Sequence, residues 1–494
     1  MIAPVHKDKF LFSLLAVFFI AVIAFAAFTE QYLLTTIPFA VVLFYAGWQN
    51  RNLVFLLLLT SLPLSFEYNF SPTLGTDIPD EMLMLFVAGL FIAYWVYSPA
   101  AISKKAVHHP LFFLLLASFV WMTISVLFSA QQLISLKFLL AKSWYIGAFV
   151  IAPLIIFKDK KHIRSAAIAI TGAMMLVAII VLIRHYKHDF RFADINDATV
   201  PFFRNHVNYS AMLVCMIPLL LAFYSGTRSK QNKLLLAGVI LISLIALFFS
   251  YARGAWVALI IGCIAWSLIK MRLLYYGYIA AVIISIAALF WVKSNDRYLR
   301  YANDYQTTIF HKDFKEHLVA TYKLKDVSTA ERFYRWIAGV RMIKDNWLTG
   351  YGPNAFYYNY KGYAVPAFKT WVSDNTDHST VHNYFLLTTI EQGVPGLLLL
   401  IIVFGAMLYY AQYLYHRVKD PFYKVTAMTT GVVTTMIIVL NLLSDLIETD
   451  KIGSLFFLCI SVLIVTDMKT KNAKTILHTA CKRGLCVVLP LRRG

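Results

Sequence analysis

Long hydrophobic runs alternate with short polar segments along almost the whole chain. Most runs hold about 17 to 22 residues, the length at which an α-helix crosses the roughly 30 Å hydrocarbon layer of a membrane. Such helices satisfy their own backbone hydrogen bonds, as a membrane requires. The pattern predicts an all-α polytopic membrane protein with about 12–14 transmembrane helices. The predicted segments are 9–28, 32–48, 53–66, 82–100, 110–129, 138–157, 165–184, 209–225, 234–251, 254–269, 273–292, 383–415, 425–443 and 451–467.

One long polar interruption, from Lys293 to Val381, divides this pattern. Inside it, apolar residues recur at helical spacing, which predicts an amphipathic helix at about 329–347. The sequence Gly350-Tyr-Gly-Pro-Asn354 then predicts a turn. The predicted organisation is therefore a region of transmembrane helices 1–11 (1–292), the large loop (293–381), transmembrane helices 12–14 (382–467) and a basic tail (468–494).

The charged residues predict which side of the membrane each segment faces. The chain has 45 Lys and Arg against 25 Asp and Glu, a net charge of +20. The basic residues lie mostly in short clusters in alternate loops, as the positive-inside rule describes for cytoplasmic segments. This placement argues against nucleic-acid binding. It predicts cytoplasmic N- and C-termini, with the large loop on the outer side.

Two arginines are candidates for binding an anion. Arg253 separates two apolar runs that meet on the outer side, against the positive-inside trend, and ionisable residues near membrane depth are more often functional than not. The alternative is an arginine that extends to outer headgroups. Arg332 opens the amphipathic helix, and free N–H groups beside a guanidinium suit a phosphate. The alternative there is a solvated helix face.

His382 begins the first helix after the large loop and allows three interpretations. It could ligate a metal together with Asp374, Asp377 and His378, because His378 and His382 stand four residues apart. It could be a polar residue at a helix start. It could also act as a general base, since imidazole accepts a proton near neutral pH.

Other polar residues are weaker candidates. The acidic residues Asp445, Glu448 and Asp450 are interpreted as a solvated outer turn. The tyrosine-rich run after residue 356 could stack on sugar rings, but an aromatic belt at the headgroup level explains it equally well. The further candidate substrate-binding residues are Arg191, Arg204, His206, Arg335 and Tyr351.

Five segments read together resemble the O-antigen ligase and polymerase superfamily of membrane glycosyltransferases of the GT-C type. The resemblance covers about 204–396. The segments are Ser250–Gly254, Arg332–Trp336, Asp345–Phe356, His382–Asn383 and Glu391–Gly396.

The resemblance implies an enzyme that works at the periplasmic face of the bacterial inner membrane without a cofactor or metal. Arg253 and Arg332 would hold the pyrophosphate of an undecaprenyl-pyrophosphate-linked glycan donor, and His382 would be catalytic, taking the proton from the acceptor hydroxyl. Lipid A-core as acceptor makes the chain a ligase, which we favour. Another lipid-linked glycan makes it a polymerase, and a protein hydroxyl makes it an O-oligosaccharyltransferase.

A transporter or flippase for a lipid or polysaccharide is the alternative from another class. It predicts internal repeats and polar residues near the bilayer midplane. We detect no repeat in the sequence, and the unusual polar residues gather on the predicted outer side. Glycosyl transfer is therefore the favoured prediction.

Overall fold

A computed structural model of the chain describes residues 36–71, 74–293, 327–365 and 380–482, with the short pieces 17–18 and 21–22. The predicted first segment, 9–28, lies almost wholly outside the described residues. The metal candidates Asp374, Asp377 and His378 also lie outside them, as does the end of the basic tail. The predicted amphipathic stretch of the large loop is described from residue 327 onward.

The described residues fold almost entirely into α-helices. Ten of these helices are long and apolar enough to cross a membrane by length and composition, and two shorter helices are also apolar. The chain is therefore an all-α multi-pass membrane protein, as predicted. In chain order the long helices are α1 (Thr36–Gln49), α2 (Arg51–Ser61), α3 (Asp80–Tyr97), α4 (Pro110–Leu127), α5 (Gln132–Ile156), α6 (Lys160–Tyr186), α7 (His206–Gly226), α8 (Lys230–Phe249), α9 (Arg253–Lys270), α10 (Leu274–Lys293), α11 (Val327–Asp345), α12 (Tyr384–Arg417), α13 (Pro421–Leu443) and α14 (Asp450–Lys482).

A β-hairpin lies between α2 and α3, where the sequence analysis expected only a polar loop. Strand β1 (Phe66–Ser71) pairs antiparallel with β2 (Leu74–Ile78), and Tyr68 stands opposite Thr76. The strand signal is present in the sequence, because apolar Phe66, Tyr68 and Phe70 alternate with polar residues. The run is shorter than a membrane-spanning segment, so the pattern of transmembrane helices does not predict it.

Helix α12 is broken at Gly393, although the sequence analysis treated 383–415 as one segment. Gly393 has φ 70° and ψ −178°, a conformation essentially restricted to glycine. Pro395 follows two residues later and has no N–H, so it cannot donate to the carbonyl of Glu391 four residues before it. The break leaves backbone carbonyls of the first half of α12 without their usual helical donors.

The start of α12 and the end of α13 meet at one end of the bundle, which we call the His382 end. The Tyr384 N–H donates to the carbonyl of Ser444 at 3.0 Å, and Asn383 Nδ2 donates to the carbonyl of Leu442 at 3.0 Å. Helix α12 packs most extensively against α13 and α4, and α13 packs against α9. The His382 end therefore gathers the first turn of α12, the last turn of α13 and the first turn of α9.

Candidate functional site

The His382 imidazole faces a carboxylate that the sequence analysis had assigned to a solvated turn. His382 Nδ1 lies 3.8 Å from Asp445 Oδ1, and the Asp445 side chain is only 17% exposed. The His382 side chain is 38% exposed, so the ring remains accessible. His382 also has a positive φ of 51°, a conformation that is uncommon outside glycine and is found at functional sites. The backbone therefore holds the imidazole at the edge of the bundle, beside Asp445.

Thr380 fixes the position of the Asp445 carboxylate. The Thr380 hydroxyl donates to Asp445 Oδ2 at 2.6 Å and accepts from the His382 N–H at 3.3 Å. Burial raises the pKa of Asp445, but the nearby His382 imidazole and the hydrogen bond from Thr380 outweigh it and hold that pKa below its ordinary value. Asp445 is therefore a carboxylate at neutral pH. It can orient the imidazole and stabilise its protonated form.

Arg253 lies at the same end of the bundle, as the first residue of α9. A Cβ built on the next residue, Gly254, would lie 3.5 Å from Leu443 Cδ1, at the end of α13. Asn383 and Tyr384 bond to the residues on either side of Leu443. Arg253 and His382 therefore flank the same last turn of α13.

Arg332 lies one turn before the part of α11 that contacts the segment leading to His382. Arg335 Nη1 donates to the carbonyl of Thr380 at 3.0 Å, and Trp336 Nε1 donates to the carbonyl of Val381 at 2.7 Å. Residues four apart share one face of a helix, so Arg332 and Trp336 lie on the same side of α11. The structure thus brings all three main candidates to the His382 end through contacts of their immediate neighbours.

Arg335 differs from Arg332 in its surroundings. It is 3% exposed, and its Nη2 lies 3.1 Å from Glu331 Oε2. With Nη1 on the Thr380 carbonyl, these contacts hold α11 against the segment before His382. Substrate binding by Arg335 stays a prediction, whereas its observed contacts position the loop.

The turn at 346–356, which we call the docking turn, inserts into the break of α12. The Tyr351 N–H donates to the carbonyl of Ile390 at 3.0 Å, and the Gly352 N–H donates to that of Glu391 at 2.9 Å. These are carbonyls left unpaired by the break. In return, the Val394 N–H donates to the carbonyl of Trp347 at 2.8 Å. The large loop is therefore hydrogen-bonded directly into a transmembrane helix.

Side chains complete the seat of the docking turn. Glu391 Oε1 accepts from the Phe356 N–H at 3.2 Å, and Ser135 Oγ donates to the carbonyl of Pro353 at 2.7 Å. The candidate Tyr351 shares a hydrogen bond of 2.7 Å with the hydroxyl of Tyr363. The motifs Gly350–Asn354 and Glu391–Gly396 thus meet each other, and they carry the loop on a rigid support.

The candidates Arg191, Arg204 and His206, at or before the start of α7, have different surroundings. The carbonyl of Phe190, the residue before Arg191, accepts a hydrogen bond of 2.6 Å from the Tyr251 hydroxyl. Tyr251 stands two residues before Arg253. Arg204 Nε lies 3.7 Å from Glu67 on the β-hairpin, and both side chains are exposed. His206 begins α7, and its Nδ1 lies 2.7 Å from Asn196 Oδ1. Arg191 is therefore adjacent to the Arg253 segment. The His206 ring lies 6.2 Å from the ring of Phe192, which in turn lies 5.6 Å from the ring of Tyr251, so His206 also borders this segment, whereas Arg204 pairs with the β-hairpin.

An acidic cluster surrounds Lys451 where the β-hairpin meets α14. Asp77, Asp80 and Asp450 place carboxylate oxygens within 4.8 Å of one another, a grouping able to hold a metal ion. The Lys451 ammonium lies 3.1 Å from Asp450 and 3.4 Å from Asp77. Burial and the charge of Asp450 raise the pKa of Asp77 to about 6. The Lys451 ammonium supplies one positive charge beside these three carboxyl groups.

Glu448 and Asp450 complete the correction of the predicted solvated turn. Glu448 Oε2 lies 3.0 Å from Nζ of the buried Lys142, and Asp450 pairs with Lys451. All three acids of this turn, including Asp445, therefore have partners inside the protein. The sequence contained one signal for this arrangement, since Lys142 interrupts an otherwise apolar predicted span.

The His382 end can perform general-base chemistry beside a bound anion. An accessible imidazole with a carboxylate behind it can accept a proton from a hydroxyl. The nearby segments of α9 and α11 carry the guanidinium groups of Arg253 and Arg332, which suit phosphate oxygens. The buried support under the loop limits movement of these groups, as a preorganised site requires.

Comparison with known proteins gives two matches. Residues 238–401 match the sequence profile of a family described as O-Antigen ligase. Over 222 residues the chain is 27% identical to an O-antigen ligase of Salmonella typhimurium strain LT2. The aligned region covers 44% of this chain and 49% of that protein. The chain thus spans about half the length of the curated relative it matches. Arg253, Arg332 and His382 lie inside the matched range 238–401, whereas Asp445 lies beyond it.

Proposed function

We propose, from the similarity of this chain to O-antigen ligases, that it transfers a glycan from undecaprenyl pyrophosphate to an acceptor sugar at the periplasmic face of the bacterial inner membrane. The favoured acceptor is lipid A-core. The single observation that carries this proposal is the accessible His382 imidazole backed by the Asp445 carboxylate at 3.8 Å. It supports a base for the acceptor hydroxyl, which every version of this transfer needs.

In the proposed reaction His382 takes the proton of the acceptor hydroxyl as its oxygen attacks the anomeric carbon of the donor sugar. The bond between that carbon and the pyrophosphate oxygen breaks, and undecaprenyl pyrophosphate leaves with the bonding electron pair. A direct displacement of this kind inverts the anomeric configuration. Asp445 stabilises the imidazolium that forms, because it stays charged at neutral pH.

Arg253 and Arg332 act in this proposal on the leaving group. Negative charge grows on the pyrophosphate as the glycosyl bond breaks, and guanidinium groups held in place beside it lower the energy of the transition state. Support comes from the contacts that bring the two arginine segments to the His382 end, one through Leu443 and one through Thr380. The donor carries its own leaving group, so this reaction requires no nucleotide.

The size of the product tests the proposal. Purified protein is supplied with a lipid-pyrophosphate glycan, either alone or with lipid A-core. Transfer of one glycan onto lipid A-core is the expected result. A ladder of longer glycans formed without lipid A-core would instead identify a polymerase, and no transfer under either condition would contradict glycosyl transfer.

A further inference from the structure

A narrow groove runs along α12 between α4, α5 and α14, beginning directly under the His382 end. Its lining residues on α12 extend from Tyr384 to Val403, which corresponds to roughly 28 Å of helix. This length is close to the thickness of the hydrocarbon layer, about 30 Å. Below its first turn the wall is mostly apolar, with residues such as Leu115, Met122 and Phe456. Its polar members are Ser118, Thr388 and Gln392.

The upper end of the groove is polar and contains a buried cation. The Lys142 side chain is 4% exposed, and its Nζ lies 3.0 Å from Glu448 Oε2 and 3.3 Å from the carbonyl of Ile447. An ammonium has three N–H donors. The same ammonium also lies 4.9 Å from the ring centroid of Phe138 and 5.0 Å from that of Tyr145. Because Lys142 lines the groove and has a third N–H donor beyond its two oxygen partners, it can turn that donor toward a group bound there. An ionisable residue inside a predicted span is costly and points to a function.

The polar end of the groove lies immediately next to the site. Tyr384, which lines it, follows His382 by two residues, and Glu448 follows Asp445 by three. From the outer side inward the protein therefore presents a base, then a cation, and then an apolar groove. A polyprenyl-pyrophosphate glycan has the matching order of sugar, phosphates and isoprene chain.

We propose that this groove binds the first isoprene units of the lipid donor and that Lys142 donates a hydrogen bond to the phosphate attached to them. The inference rests on the proposed function and deepens it, because it assigns the depth at which the donor sits. Arg253 and Arg332 contact the pyrophosphate from the outer side, and Lys142 contacts it from below.

The first test blocks the groove. Met122→Trp places a larger ring among the lining residues, whereas Val120→Trp places the same ring on the exposed side of α4, where Val120 is 50% exposed. We expect Met122→Trp to raise the KM for the lipid donor about tenfold or more with little change in kcat, because ground-state and transition-state binding are lost together. Val120→Trp should leave both constants unchanged. Equal KM values for the two variants would overturn the proposal.

The second test separates binding from a purely structural ion pair. The double variant Lys142→Met/Glu448→Gln removes both charges, and replacing a whole buried pair usually leaves the fold intact. Loss of a charge-assisted hydrogen bond to phosphate should raise the KM for the donor about tenfold. Thermal unfolding checks that the variant is folded. A folded double variant with the wild-type KM would show that Lys142 is structural only.

A binding measurement distinguishes failure of this inference from failure of the proposed function. Farnesyl pyrophosphate serves as the probe, with farnesol and a phosphatidic acid as competitors, on wild-type protein and on the Met122→Trp and Val120→Trp variants. If wild-type protein binds farnesyl pyrophosphate tightly and only Met122→Trp weakens this binding, the result supports isoprenoid binding in the groove. That support holds even if the wild-type protein transfers no glycan. Unchanged binding in a protein that does transfer glycan would refute the groove alone. Equal displacement by phosphatidic acid would identify a general phospholipid site and overturn the assignment to an isoprenoid.

Discussion

Replacement of Gly393 by alanine should disconnect the docking turn from α12. A Cβ at this position would lie 2.0 Å from the carbonyl oxygen of Leu348 and 2.8 Å from that of Trp347, so the two segments must separate. The φ of 70° with ψ of −178° adds strain of about 1–3 kcal/mol for any residue with a side chain. Loss of the hydrogen bond from the Val394 N–H to Trp347 adds about 1 kcal/mol. We therefore expect Gly393→Ala to lower the free energy of unfolding by about 2–4 kcal/mol.

The assay is thermal unfolding of the purified protein in detergent, combined with the rate of glycan transfer. Gly89→Ala is the matched control, because a Cβ on Gly89 would meet no atom within 4 Å and α3 is regular there. That variant should change stability by no more than about 1 kcal/mol. If Gly393→Ala unfolds at the same temperature as Gly89→Ala and transfers glycan at the wild-type rate, the docking turn does not hold the loop as argued.

Two further variants test the charged groups at the His382 end. Lys451→Met removes the ammonium from among Asp77, Asp80 and Asp450, so stability at neutral pH should fall by about 3–5 kcal/mol. The stability difference between Lys451→Met and the wild type should shrink on acidification, because the carboxyl groups take up protons. A difference that does not depend on pH in thermal unfolding would contradict this. Asp445→Asn should lower kcat by about 10- to 100-fold, measured as initial transfer rates. Because the folded-state pKa of Asp445 lies below its ordinary value, the wild-type carboxylate stabilises the fold above pH ~4. That advantage over Asp445→Asn should disappear as the pH falls through the folded-state pKa, and its persistence in strong acid would refute the assignment.

The helices of this chain were largely predictable because a membrane imposes a length on every apolar run. Thirteen of the fourteen predicted segments correspond to described helices, and the first falls almost wholly outside the described residues. The break in α12 was not predicted, although Gly393 and Pro395 are both visible in the sequence. Their effect depends on the docking turn that replaces the missing helical donors, and such a partner cannot be read from local sequence.

The site was predictable only in part, because some of its contacts also depend on partners that are distant in the sequence. The positions of Arg253, Arg332 and His382 follow from unusual polar residues beside apolar runs. The role of Asp445 did not follow, because an acid in a short turn between two helices usually faces water. Here the Thr380 hydroxyl and the His382 imidazole hold it inside the protein, and both precede α12 and α13 in the chain, whereas Asp445 follows them. Lys142 could have been found earlier, since a lysine within an apolar run is itself a signal.

The most direct test of the central claim is the transfer rate of purified His382→Ala with a lipid-pyrophosphate glycan and lipid A-core. His188→Ala, an exposed histidine near Arg191, is the matched control. We predict that His382→Ala remains folded in thermal unfolding and transfers glycan about 10²- to 10⁴-fold more slowly, whereas the control is unaffected. Transfer by folded His382→Ala at the wild-type rate would contradict the proposal that this imidazole takes the proton from the acceptor.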